Sequence, residues 1–179
     1  SPLAEGLDAA KSGDFEKAYR LWMIEAEAGN ASAQGYLGVL FAKGQGVPRD
    51  DAAAAKWFQL AAGGGNATAQ SNLGALYAKG QGVRQDDKEA ARWFLLAAEQ
   101  GNLQAQSHLG VLYARGRGVA QDDKVAAKWF SLAASQGEPK AQLSLGVMYE
   151  VGRGVAKNFV VACAWYTWAM ESGYEPARQ

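Results

Sequence analysis

His108 and Cys163 are the only histidine and the only cysteine among 179 residues. A lone cysteine excludes an internal disulfide and a cysteine-based metal cluster. A lone histidine excludes zinc sites that draw two or more histidines from one chain. A nucleophilic thiol would also need a nearby base, and no histidine lies close to Cys163 in sequence. Asp50-Asp51, Asp86-Asp87 and Asp122-Asp123 resemble a metal-binding or acid/base array. They recur at helix starts, where the helix dipole favours negative charge, and copies a whole repeat apart do not converge on one ion. The tetrads Gly44-Gln-Gly-Val47, Gly80-Gln-Gly-Val83, Gly116-Arg-Gly-Val119 and Gly152-Arg-Gly-Val155 resemble phosphate-cradling loops. They lack the third glycine and preceding strand of a dinucleotide fingerprint, and the Gly-Lys-Ser/Thr of a P-loop. The Asn-x-Ser/Thr triplets at Asn30 and Asn66 are explained as helix caps. No residue set for catalysis, metal binding or a cofactor emerges, and the chain reads as non-enzymatic.

These motifs share one ruler. Gly29, Gly65, Gly101, Gly137 and Gly173 are spaced 36 residues apart, as are Leu37, Leu73, Leu109 and Leu145, each followed by glycine. A period of this length marks a solenoid of one repeated supersecondary unit. In the unit 29–64, Asn30 is a helix N-cap, repeated at Asn66 and Asn102 and replaced by Glu138-Pro139 in the fourth copy. Helix A runs to about residue 43, with Ala33, Leu37, Leu40 and Phe41 on one face. Gly44 ends it in a left-handed cap. Asp50, Asp86, Asp122 and Asn158 start helix B. Its buried face repeats as Ala54, Trp57, Phe58, Ala61 and Ala62, so that a Trp is expected to enter the space an Ala leaves on its neighbour. Burial of each aromatic contributes roughly 2–3 kcal/mol. One hairpin has too little core to stand alone, so neighbours must stack.

The expected organisation is one all-α repeat domain, 1–179. Residues 1–28 form a capping hairpin that lacks the Gly-x-Gly-Val loop, and 29–64, 65–100, 101–136 and 137–172 are full repeats. Residues 173–179 begin a further repeat or are a truncated end. Trp168 and Met170 stand where earlier units have Leu and Ala, which points to a different neighbour at the C-terminal end. Cys163 replaces Ala55, Ala91 and Ala127 and is expected as a small residue at a packed site.

The run Ala-Gln-x-x-Leu-Gly-x-x-Tyr at Ala69 to Tyr77 is followed by Gly-x-Gly-Val at Gly80 to Val83 and Ala-x-x-Trp-Phe-x-x-Ala-Ala at Ala90 to Ala98. This pattern resembles the Sel-1-like repeat family, a relative of the tetratricopeptide repeat, over residues 29–172. The resemblance implies a right-handed superhelix of antiparallel helix pairs. It also implies an adaptor role in protein complexes, often in bacterial envelope or signalling settings. Some secreted relatives rich in cysteine pairs have been linked to binding penicillin-like compounds, and this chain lacks those pairs. A hydrolase or binder of such compounds is the competing expectation, and a structural module stacking on further repeats or on another copy is a third.

If helix A lines the inner wall, as in related helix-pair repeats, its non-packing stripe holds the partner. That stripe contains Tyr36, Asn72, His108 and Ser144, one position that changes in every unit, and a basic ladder of Lys43, Lys79 and Arg115. The expected partner is a protein or peptide of acidic character, steered by the ladder. Self-association through the C-terminal end is a further expectation. Net formal charge is zero, from 18 basic and 18 acidic residues, so no whole-chain field favours nucleic acid. No apolar run is long enough to span a bilayer. The start at Ser1 fits a removed signal peptide or an imposed boundary, and a periplasmic or secreted bacterial setting is expected over a cytoplasmic one.

Overall fold

The computed structural model describes residues 1–173, and among them it holds ten α-helices and no strand. They are α1 (Pro2–Lys11), α2 (Phe15–Glu27), α3 (Ala31–Lys43), α4 (Asp51–Gly63), α5 (Ala67–Lys79), α6 (Asp87–Glu99), α7 (Leu103–Arg115), α8 (Asp123–Ser135), α9 (Pro139–Val151) and α10 (Phe159–Glu171). The expected further repeat at 173–179 lies almost wholly outside the described residues.

The caps fall where their side chains can reach orphan amides. The Asn30 side-chain oxygen Oδ1 accepts from the backbone N–H groups of Ser32 and Ala33 at 3.0 and 3.1 Å. Asp50 accepts from the Ala53 N–H at 2.9 Å, and Asn158 from those of Val160 and Val161 at 3.1 Å. Gly44 closes α3 at φ 66°, which glycine adopts without the steric cost a Cβ brings. The connecting loop is pinned at its far end. The N–H of Asp50 donates to the Phe41 carbonyl at 3.0 Å, and Asn158 does the same to Tyr149 at 2.8 Å. That bond holds the loop at one length and sets where helix B begins.

The chain divides into two compact units, residues 1–97 and 98–179. In the first, α1 packs on α2, α2 on α3, α3 on α4 and α4 on α5. Ala9, Ala18, Trp22, Ala33, Leu37 and Leu40 form one core cluster, and Ala54, Phe58, Ala61, Leu73 and Leu76 another. In the second, α7 packs on α8, α8 on α9 and α9 on α10, around Ala126, Phe130, Ala133, Leu145 and Met148.

Two features of this packing differ from the sequence expectation. The tryptophan of helix B is not the residue that sinks into its neighbour, since Trp57 and Trp93 are only half-buried. The phenylalanine beside it does so, and the space is left by a glycine rather than an alanine. A Cβ on Gly74 would stand 2.9 Å from the Phe94 ring, and one on Gly110 would stand 2.7 Å from Phe130. In the loopless first hairpin Gly6 serves Trp22 in the same way, and the Trp22 indole donates to the Leu3 carbonyl at 3.3 Å. The second glycine of the Gly-x-Gly-Val tetrad also has a role beyond the turn. Gly82 lies on the Asp51 carbonyl, at the start of the preceding helix B, with no room for a Cβ.

Each hairpin is tied to the previous helix by a buried glutamine. The side-chain amides of Gln34, Gln70, Gln106 and Gln142 donate to the carbonyls of Ala26, Ala62, Ala98 and Ala134 at 3.1–3.2 Å. All four are at most 8% exposed, where a charge-free donor to a main-chain carbonyl is well shielded from water.

Candidate functional site

The acidic pairs are consumed locally. Asp50 caps α4, while Asp51 accepts two bonds from Arg49 at 3.0 and 3.1 Å. The Arg49 guanidinium, through that hydrogen bond, holds the Asp51 carboxyl below its ordinary range. Asp122 caps α8, while Asp123 takes the Arg153 guanidinium at 2.8 Å. Arg153 also donates to the Ala114 carbonyl at 3.3 Å, so it ties the loop of one repeat to the repeat before. Among the described residues no group of three or more His, Cys, Asp or Glu side chains is placed to hold a metal ion.

Cys163 departs from the sequence expectation. Ala55 and Ala127, at the same repeat position, are 2% and 5% exposed under the helices that follow, α5 and α9. Cys163 is exposed, because no described element covers that face of α10. Met170 is 63% exposed where Ala62 and Ala134 are each 2% exposed.

The expected stripe residues have unequal fates. In the first unit Tyr36 is half-buried, its ring 4.7 Å from that of Trp22, so it belongs partly to the core of the capping hairpin. Asn72 is half-buried on α5. Lys43 and Lys79 are exposed at the last positions of α3 and α5, with no ion pair among the described residues. In the second unit His108 is exposed and Ser144 half-buried, and they line one groove of about 540 Å³ with Gln104, Ser107, Val111, Glu138 and Lys140. Arg115, at the end of α7, is exposed and lies outside that lining. The Ser144 hydroxyl donates to the Lys140 carbonyl at 2.9 Å.

Sequence reasoning missed Ser107 and the second task of Glu138. That carboxylate caps α9 by accepting from the Ala141 N–H, and also accepts from the Ser107 hydroxyl at 3.1 Å. The signal was the replacement of Asn30, Asn66 and Asn102 by a longer acid at this one cap. The groove presents an imidazole, an ammonium, hydroxyls and an amide, with its acid already engaged. It can form hydrogen bonds and attract negative charge.

Among the described residues no helix is long and apolar enough to cross a membrane. The Sel1 repeat pattern matches residues 31–66, 67–102, 103–138 and 139–174. No curated protein matches the chain. Among solved structures, a protective antigen of uropathogenic Escherichia coli strains with an SLR fold is 33% identical over 97% of this chain, with a TM-score of 0.90. A Sel1 repeat protein from Oxalobacter formigenes is 31% identical over 96% of the chain, also with a TM-score of 0.90. The chain spans 38% of the first of these proteins and 70% of the second. Cysteine rich protein B of Helicobacter pylori shares the fold at 23% identity and a TM-score of 0.56, over 71% of this chain and 91% of that one. Sel1 repeat proteins generally mediate protein–protein interactions and are typically non-catalytic scaffolds. With four consecutive repeat matches from residue 31 to residue 174, this chain is a member of the Sel1 repeat family.

Proposed function

We propose that this protein is a non-enzymatic adaptor whose helix-A surfaces hold an acidic peptide or an acidic segment of a partner protein. The observation that carries the reading is the α7–α9 groove, where His108, Lys140 and Ser144 meet in about 540 Å³. Its donors suit carboxylates and backbone carbonyls of an extended chain. The exposed Lys43, Lys79 and Arg115 supply steering: each ends a helix A, and their charge raises the encounter rate with an acidic ligand at low salt.

The test is a titration with a glutamate- and tyrosine-containing peptide against its glutamine counterpart, at low and physiological salt. The expected result is preference for the acidic peptide, weakened about tenfold by Lys79→Glu with Arg115→Glu. Unchanged affinity at low salt sinks the reading.

Cys163 and Met170 favour a second reading, in which α10 seats another helix pair of the same kind, from a further repeat or a second copy. Sedimentation velocity across a concentration series, with Met170→Asp as control, separates a self-associating chain from a monomer.

A further inference from the structure

We propose that the C-terminal end of the second unit holds a binding site for a guanidinium group, such as an arginine side chain of a partner. The site is separate from the α7–α9 groove and does not depend on that reading. It is a pocket of about 580 Å³ whose walls include Gln142, Trp165, Trp168 and Glu171.

The two indole rings meet edge to face, with centroids 4.8 Å apart at 80°. That arrangement makes an aromatic corner rather than a sealed stack. Trp168 is 50% exposed, and it stands where the earlier repeats carry Leu60, Leu96 and Leu132. Those leucines are themselves 39–56% exposed, so the last repeat replaces an exposed aliphatic side chain by an exposed indole and thereby adds a ring face to this surface.

Two acceptors at the pocket, on Gln142 and Glu171, are not engaged by a donor among the described residues. Gln142 is 5% exposed, and its Nε2 donates to the Ala134 carbonyl at 3.2 Å, which fixes the orientation of the amide. Its Oε1 is buried and has no hydrogen-bond partner. The Gln106 Oε1 shares that state, but Gln142 stands in the wall of an open pocket. Glu171, exposed at the end of α10, has no ion pair among the described residues. Electron-rich ring faces, a bare carbonyl oxygen and a carboxylate together ask for a flat cation with several N–H donors. A guanidinium fits better than an ammonium, because it stacks on indole while donating in its own plane.

The repeat itself supplies a precedent. Arg92 lies over the ring of Trp93, 5.2 Å from its centroid. The residue before this tryptophan is cationic in three repeats, as Lys56, Arg92 and Lys128, and is Ala164 in the last. The final repeat therefore keeps the tryptophan, adds a second one, and has no cation of its own at that place.

The experiment follows the indole N–H signals of Trp165 and Trp168 in nitrogen-15 spectra while N-acetyl-arginine amide is added at low salt. N-acetyl-citrulline amide, the neutral isostere, is the comparison ligand. The expected result is saturable binding about tenfold tighter for arginine than for citrulline. It weakens by about fivefold or more in Trp168→Leu, which restores the residue of the other repeats, and in Glu171→Gln. Absence of saturation, equal response to citrulline, or unchanged affinity in Trp168→Leu overturns the proposal.

Discussion

Gly38 on α3 is the socket for the ring of Phe58 on α4: a Cβ built on the glycine would stand 2.6 Å from two ring carbons. Phe58 is 3% exposed and walled by core residues, so it cannot retreat. Alanine in a helix interior normally gains up to about 1 kcal/mol over glycine. Here the collision outweighs that gain. Gly38→Ala is expected to lose about 1–2 kcal/mol net in urea unfolding. Gly35→Ala, one turn away with no neighbour nearer than 3.9 Å, is expected to be neutral or stabilising. Equal behaviour of the two variants would remove the socket argument.

Gly82 and Gly65 have similar left-handed backbones, at φ 68° and 85°, but different surroundings. A Cβ on Gly65 meets nothing within 4 Å, whereas one on Gly82 meets the Asp51 carbonyl. Gly65→Ala should therefore cost about 1–2 kcal/mol, for the backbone alone. Gly82→Ala should cost about 3 kcal/mol or more, because main chain cannot step aside. Thermal melts of the two variants give the comparison.

Tyr166 takes the phenylalanine position in the last repeat and lies against Gly146. Burial, and then the hydrogen bond from its hydroxyl to Glu150, push its pKa from 10.0 up to about 12. The protonated phenol is the form the fold favours. Its contribution is complete below about pH 10 and is lost as pH rises through about 12. Tyrosinate absorbance should show one late titration that Tyr166→Phe abolishes. In that variant the alkaline loss of stability should be shallower.

Cys163 should react with a small thiol reagent in the native protein, without denaturant, because its side chain is exposed. If copies stack through α10, reactivity falls as protein concentration rises. Labelling that appears only on unfolding would contradict the placement of this residue.

A chromogenic β-lactam should not be turned over by the purified protein, in keeping with the typically non-catalytic character of Sel1 repeat proteins. Hydrolysis that disappears in His108→Ala would replace the adaptor reading with an enzymatic one.

The helices, caps and loop starts were legible because each depends on residues within one turn of one another. Asn30, Gly44 and Asp50 act on backbone groups close in sequence. The Gly38–Phe58 socket was not legible in that way. A glycine inside a helix reads locally as a propensity cost, and its reason stands on the next helix. Cys163 failed for a related reason, since burial of one face of helix B is decided by the element that follows. At the candidate site, the changing position Tyr36, Asn72, His108 and Ser144 was marked by sequence variation. Only coordinates separate Tyr36, stacked on Trp22, from His108, which opens onto a groove.

The buried glutamines have a consequence for how such a chain changes over generations. Each amide of Gln34, Gln70, Gln106 and Gln142 grips a main-chain carbonyl. A carbonyl is supplied by any residue, so the grip makes almost no demand on the identity of the helix it holds. Excision of residues 65–100 would leave Gln106 facing the Ala62 carbonyl, the same kind of acceptor it has now. Repeats joined in this way are interchangeable parts, and their number is free to drift by duplication and loss while the joint stays intact.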